Sequence, residues 1–282
     1  AAGLCVMALG TDTMGSVRIP SAYCGVSGLK PSRGLIDVTG VTPLSTTLDH
    51  VGPITQSAQD LPAFVAALSG AAERVERGLT GLTIGRWRFE GHVGVDPDIL
   101  DAFDRACAQL DHAGARIIDV HAHAYEYGRT RRRGLLISEI EGHGVHAEAL
   151  KDDAEGFSDH FRRLLDWGSG QSADKACAAY DAVRAVEADA EAWFGEVDLV
   201  VAPTALEPAF AFGQDAPASQ ADLTAFADMA GIPAVAVPMG LNPAGRPLSI
   251  QFMAARGGDG LAMKAARQFE ALAGGPFIPP GY

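Results

Sequence analysis

Between Gly10 and Gly34 the chain reads GTDTMGSVRIPSAYCGVSGLKPSRG, and this run restricts the architecture more than any other feature. It holds too many Gly, Pro and Ser residues for a regular helix or strand and too few charges for a solvated linker. We read it as a dense loop. The segment before it, residues 1–9 (AAGLCVMAL), is apolar and reads as a cut-off helix or strand inside a core, with no initiator Met and no polar lead-in.

The rest of the chain must build the body that holds such a loop. Its 282 residues are 48% hydrophobic and 20% charged, which excludes a disordered chain. With 33 Gly and 16 Pro it reads as a loop-rich α/β protein, not a helical bundle. The net charge of −13 excludes a general attraction to nucleic acid or anionic lipid. One basic run, Arg129-Thr130-Arg131-Arg132-Arg133, is either a local anion patch or a solvated loop or helix face. Cys5, Cys24, Cys107 and Cys177 show no CxxC spacing. They read as small, buried, reduced residues of a cytoplasmic protein. No apolar run reaches the roughly 18–20 residues that span a bilayer, and residues 1–9 lack the basic lead of a signal peptide.

Periodicity places the elements. Asp60 caps a helix with apolar Leu61, Phe64, Val65 and Leu68, stopped by Gly70. Residues 71–80 read as a surface connection. Leu82–Ile84 and Ala115–Val120 read as strands around a helix at Pro97–Ala113, the unit from which parallel sheets are built. Residues 125–195 read as mostly helical, with breaks around Gly142–Gly144 and Gly168–Gly170. A strand at Leu199–Val201 runs into Pro203, and 205–220 is a Pro/Gly/Ala loop. A short helix spans Asp222–Met229. Strands Ala234–Pro238 and Leu248–Phe252 flank a turn at 242–245, before a last helix at Gly260–Leu272.

Within the Gly10–Gly34 run, small residues around Ser16 let backbone N–H groups approach a ligand. A serine so placed is either a nucleophile beside amides of Met14, Gly15 and Ser16, or the cap of the next element. The run itself contains no His to serve as base.

This run, continued by VTPLSTTLDHVGPITQSAQDLPAFVAALSG, closely resembles the amidase signature family, whose pattern is approximately G-[ST]-D-T-G-G-S-x-R-x-P-A-x-x-C-G-x-x-G-L-K-P-T-x-G. DLVVAPTALEPAF and FADMAGIPAVAVPMGLNPAGRPLSIQF resemble its C-terminal segments. The resemblance is good over residues 1–70 and 195–275 and vague between 85 and 190. It implies an α/β fold, with a mixed, twisted central β-sheet flanked by helices and incomplete at the N-terminus. Residues 1–282 then form one amidase-like domain with a variable helical insertion at about 125–195.

The resemblance also implies amide hydrolysis by a Ser–cis-Ser–Lys triad. Ser16 falls on the acyl-accepting serine. Thr13, Met14 and Gly15 fall on the stretch whose N–H groups hold the oxyanion. Asp12 and Arg18 either hold the loop, with a charge pair between them, or contact the substrate directly. Asp49 and Cys24 match scaffold positions. The bridging cis-serine and the lysine base lie upstream of this pattern in the family and have no counterpart here. Of the four lysines only Lys30 is near the loop, where the family's lysine is structural. The expectation is therefore a C-terminal portion of a longer amidase, inactive or nearly so as it stands. Met14 departs from the family's Gly. It would force φ below zero or tolerate strain, and would narrow the acyl pocket.

The implied substrate is a small-molecule amide, with no cofactor, metal, nucleic acid or membrane; a homodimer is compatible with this. His121-x-His123 and His143-x-x-His146, with Glu139 and Glu141, have metal-like spacing but read as solvated or packed residues. Two alternatives stay open. One is the glutamine-amidase subunit of a tRNA-dependent amidotransferase, for which Arg184 and Asp222 sit about one residue from the expected positions. The other is a catalytically dead amidase-like protein.

Overall fold

The computed structural model describes residues 1–70, 78–89 and 94–278. An eight-stranded mixed sheet forms its centre, in the order β1 (Met7–Asp12), β3 (His50–Thr55), β2 (Ser27–Lys30), β7 (Ala234–Leu241), β8 (Pro247–Ala254), β6 (Leu199–Pro203), β4 (Thr83–Trp87) and β5 (Arg116–Val120). The strand–helix–strand unit read from periodicity is present. Helix α3 (Pro97–His112) starts at Asp96, whose side chain accepts the Asp98 amide, and buries Ile99, Phe103, Cys107 and Leu110. It connects β4 (Thr83–Trp87) to β5 (Arg116–Val120), which pair in parallel with Ile84 opposite Ile117. Strand β6 (Leu199–Pro203) lies parallel to β4 on its other side. Strands β7 (Ala234–Leu241) and β8 (Pro247–Ala254) form an antiparallel hairpin. Asn242 Oδ1 accepts the Ala244 and Arg246 amides at its turn.

Alternation along β6 sorts the core into two faces. Leu199 and Val201 join a cluster with Leu61 and Val65 of α2 (Leu61–Ser69), Phe103 of α3, and Ala262 and Phe269 of α8 (Asp259–Leu272). Val200 and Ala202 join the other cluster with Ile137 of α4 (Gly128–Asp152), Val186 of α6 (Ala173–Phe194) and Phe226 of α7 (Ala225–Ala230). Trp87 is fully buried in this second cluster, 5.1 Å from Phe226 and 5.2 Å from Trp193 by ring centroid.

Several expectations are corrected. The Gly10–Gly34 run is not a loop. It contains the end of β1 (Met7–Asp12), helix α1 (Arg18–Cys24) and β2 (Ser27–Lys30). Its small residues permit close packing instead. A Cβ on Gly28 would fall 3.0 Å from Ser21 Cβ, and Gly25 ends α1 with φ of 66°. Residues 1–9 do not lie inside a core: β1 is an edge strand paired with β3 (His50–Thr55), and Leu4, Val6 and Leu9 are exposed. Gly142 and Gly144 do not break α4, which runs through both. The helical region breaks at a 3₁₀ turn, Ala154–Gly156, and, as expected, around Gly168–Gly170, where α5 (Asp159–Ser169) ends. Only Cys107 is buried; Cys5, Cys24 and Cys177 are exposed, and all four are free thiols. Burial pushes the Cys107 thiol up to about 12. Most of the surface connection read at 71–80 lies outside the described residues.

Candidate active site

The tight bend from β1 into α1 carries Thr13, Met14, Gly15 and Ser16, and its shape is set by Asp12. Asp12 Oδ1 accepts the Gly15 amide at 2.5 Å, and Oδ2 accepts the Val17 and Arg18 amides. The Arg18 guanidinium clasps the same carboxylate, with Nε 3.0 Å from Oδ2. Its NH2 reaches Asp228 Oδ2 of α7 at 2.5 Å, and its NH1 reaches Thr224 O and Gln251 Oε1. The charge pair expected between Asp12 and Arg18 is therefore present, fully buried, and extended to Asp228. Burial would raise the Asp12 carboxyl, but the charge and hydrogen bonds of Arg18 outweigh it and hold the group well below the usual carboxylate range. Asp228 goes the other way, pushed well up by burial and then by the charge on Asp12.

Gly15 has φ of 132°, and a Cβ there would collide with Thr224 Oγ1 and stand 2.7 Å from Ile19 Cδ1. Thr224 Oγ1 also donates to Met14 O at 2.8 Å. On the other side Asp49 accepts Thr13 Oγ1 at 2.6 Å and the Leu44 and Ser45 amides. The scaffold role expected for Asp49 has this geometry.

Held this way, Ser16 is exposed and borders a cavity of about 220 Å³, together with Thr11, Thr13, Met14, Thr42, Leu44, Asp49, Leu135 and Ser138. Its hydroxyl makes no hydrogen bond to any described residue. Among the three amides expected to hold an oxyanion, that of Gly15 is donated to Asp12. Those of Thr13 and Met14 have no acceptor among the described residues. Met14 adopts no positive φ, so its departure from Gly carries no backbone strain. Its thioether instead lies over Gly134 of α4: a Cβ on Gly134 would be 2.9 Å from Met14 Cε and 3.2 Å from Met229 Sδ.

Lys30 does not serve Ser16. It is fully buried and donates to Pro31 O at 2.8 Å, with His50 Nε2 3.5 Å away. Burial brings Lys30 down to about 7, opposed by the charge on Asp228. Burial and the neighbouring lysine push His50 well below its ordinary value, so its 3.5 Å approach to Asp228 is that of a neutral ring.

Two further expectations meet the geometry. Arg184 pairs with Asp181 on the exposed face of α6, and it is Arg131 of α4 that meets Asp222, at 2.5 Å. The basic run is thus partly absorbed: Arg132 pairs with Glu139 and lies 4.3 Å from the Trp167 ring centre. Glu141 accepts Ser45 Oγ, Thr47 Oγ1 and Tyr180 OH, and His146 Nε2 lies 2.8 Å from Pro43 O. These metal-like residues tie the 43–47 segment to α4 and α6, and no group of three or more candidate ligands forms among the described residues. Reading the sequence did not find Asp228, Thr224, Gln251 or Ser138. The buried polar residues of FADMAG and SIQF, set among apolar neighbours, were the available signal.

The Amidase family profile matches residues 1–263. The chain is 31% identical over 330 residues to a glutamyl-tRNA(Gln) amidotransferase subunit of Synechococcus sp. (strain CC9311), covering 99% of this chain and 68% of that protein. It is 29% identical to the same subunit from Desulforapulum autotrophicum, covering 96% of this chain and 65% of the relative. A solved structure described as an amidase superposes with a TM-score of 0.85 at 27% identity, over 94% of this chain and 62% of its own. The corresponding glutamyl-tRNA(Gln) amidotransferase subunit from Thermotoga maritima gives 0.80 at 25%, over 99% of this chain and 65% of its own. This chain thus spans about two thirds of the length of such relatives.

Proposed function

The chain belongs to the amidase family, and on that footing we propose that it acts in the hydrolysis of a small carboxamide, with Ser16 as the nucleophile. Ser16 Oγ adds to the amide carbonyl carbon, and the negative charge on the carbonyl oxygen rests on the Thr13 and Met14 amides. The Gly15 amide, held by Asp12, fixes the bend and does not hold the oxyanion. The C–N bond then breaks, ammonia or an amine leaves with a proton, and water releases the acid from the acyl-serine. The observation that carries this reading is the placement of Ser16: exposed at the cavity and, among the described residues, unpaired and in one bend with two uncommitted amides.

The reading requires a proton acceptor for Ser16, and no described residue accepts a hydrogen bond from the hydroxyl. The lysine and second serine implied by the resemblance have no counterpart in these 282 residues. The test is therefore amide hydrolysis by the gene product that carries this sequence. Ser16→Ala should remove turnover by about 10³-fold or more while leaving the melting temperature unchanged. The 282 residues alone should show no more than a trace. Robust turnover by them, abolished in Ser16→Ala, would place the base within the chain and overturn that part. The free, exposed thiols of Cys5, Cys24 and Cys177 fit a reducing, cytoplasmic setting.

A second reading, the glutamine-amidase subunit of an amidotransferase, is favoured by the curated relatives named above. Arg184 and Asp222, the residues nearest the positions expected for glutamine recognition, do not meet: Arg184 pairs with Asp181 and Asp222 with Arg131. Glutaminase activity together with co-purification of a partner protein would select it.

A further inference from the structure

We propose that Ser138 contacts the substrate and selects short carboxamides whose acyl chain carries a hydrogen-bonding group such as a hydroxyl. The proposal rests on the reading of Ser16 as nucleophile, because both residues line one cavity. Ser138 sits on α4, one turn after Leu135, and is fully buried. Its Oγ has no hydrogen-bond partner among the described residues. A helical serine usually returns its hydroxyl to a carbonyl of the preceding turn. Ser21 does so to Val17 O at 2.7 Å, as does Ser69 to Val65 O at 2.7 Å. Ser138 does not, and an unpaired buried hydroxyl is unfavourable unless something else supplies the bond.

Among the other hydroxyls around this cavity, those of Thr11, Ser16 and Thr42 belong to exposed residues and can bond to water. Thr13 Oγ1 is bonded to Asp49, whose second oxygen holds two amides. Met14, Leu44 and Leu135 present hydrocarbon or thioether. The cavity of about 220 Å³ is smaller than the roughly 300–1,000 Å³ of sites for drug-sized ligands. Met14, seated over Gly134, forms part of its wall. A ligand that fits is short, and Ser138 Oγ is the buried, unpartnered hydroxyl of the lining that it can satisfy.

Binding to the chain tests this without requiring turnover. Lactamide and isobutyramide differ only by a hydroxyl in place of a methyl. Titrated against the chain and followed by NMR, lactamide should bind about tenfold tighter, the increment of one hydrogen bond to a buried unpaired group. In Ser138→Ala the two affinities should become equal. The melting temperature of Ser138→Ala should be no lower than that of the unsubstituted chain. Equal affinities before substitution, a preference that survives it, binding of neither amide, or a clear drop in melting temperature would each overturn the proposal. Failure of the nucleophile assignment shows separately, as turnover that survives Ser16→Ala.

Discussion

Asp12 is the residue on which the site depends most. One buried carboxylate fixes the Gly15, Val17 and Arg18 amides and neutralises the Arg18 guanidinium. Removing it leaves the buried Arg18 cation with Asp228 as its one remaining carboxylate partner and takes the acceptor from three buried amides. Asp12→Ala should therefore cost about 3–5 kcal/mol in denaturant unfolding, the range for breaking a buried pair on one side. A loss below about 1 kcal/mol would show that water or Asp228 compensates. Lys30 yields a pH prediction. Its folded-state value of about 7 lies below the ordinary 10.5, mainly through burial. Between pH 10.5 and 7 the unfolded chain takes up a proton at Lys30 that the folded chain refuses, so this group lowers stability as pH falls through that window. Below about 7 its effect is constant. Lys30→Met should gain stability relative to the unsubstituted chain as pH is lowered from 10 to 7, as read from paired melting curves. A constant difference across that window would assign Lys30 an unshifted value.

Among the elements, helix α4 shows why part of the structure could be read from the chain and part could not. Helix α3 announces itself by its Asp96 cap and apolar stripe, α2 by its stripe and the Gly70 stop although Asp60 makes no capping bond there, and the β7–β8 hairpin by its Asn-Pro-Ala-Gly turn. In α4 the glycines at 142 and 144 look like a break, yet the helix continues because its neighbours hold it. A Cβ on Gly142 would lie 2.9 Å from Leu165 Cδ2 and 3.0 Å from Leu44 O, so this glycine marks a close approach. Gly144 is exposed with nothing within 4 Å of its would-be Cβ. Gly144→Ala should then stabilise by about 0.4–1 kcal/mol and Gly142→Ala should destabilise, measured by urea titration. Two changes of the same sign would show that propensity and not packing decides there. The candidate site divides in the same way. Ser16, Asp12 and Arg18 stand in one motif and are legible together. Thr224, Asp228 and Gln251 are more than 200 residues away in sequence, and Ser138 lies in a helix without any motif. Only the folding of α4, α7 and β8 against α1 brings them near.

At the scale of the whole molecule, the two ends of the sheet are unlike. The β5 edge carries Arg116 and Asp119, both exposed, with Asp119 paired to Arg88. Charges of this kind discourage a further strand from adding. The β1 edge reads MALGTD, and its single charged residue, Asp12, is turned inward and fully buried. Leu9 on that edge is 54% exposed, with Val6 at 77% and Leu4 at 91% just before the strand. A strand edge without exposed charge, flanked by exposed aliphatic side chains, is a template for pairing with another chain. The 282-residue chain should therefore self-associate with rising concentration, as followed by light scattering. Leu9→Lys places a charge on the edge at a position already more than half in water, so it should reduce association with little effect on the melting temperature. Phe212 offers the comparison: it is fully exposed in the 205–220 loop, outside any strand. If association falls in Phe212→Ser and not in Leu9→Lys, scattered hydrophobic exposure is responsible. If it falls in Leu9→Lys alone, the open hydrogen-bonding edge of β1 is what draws the chains together.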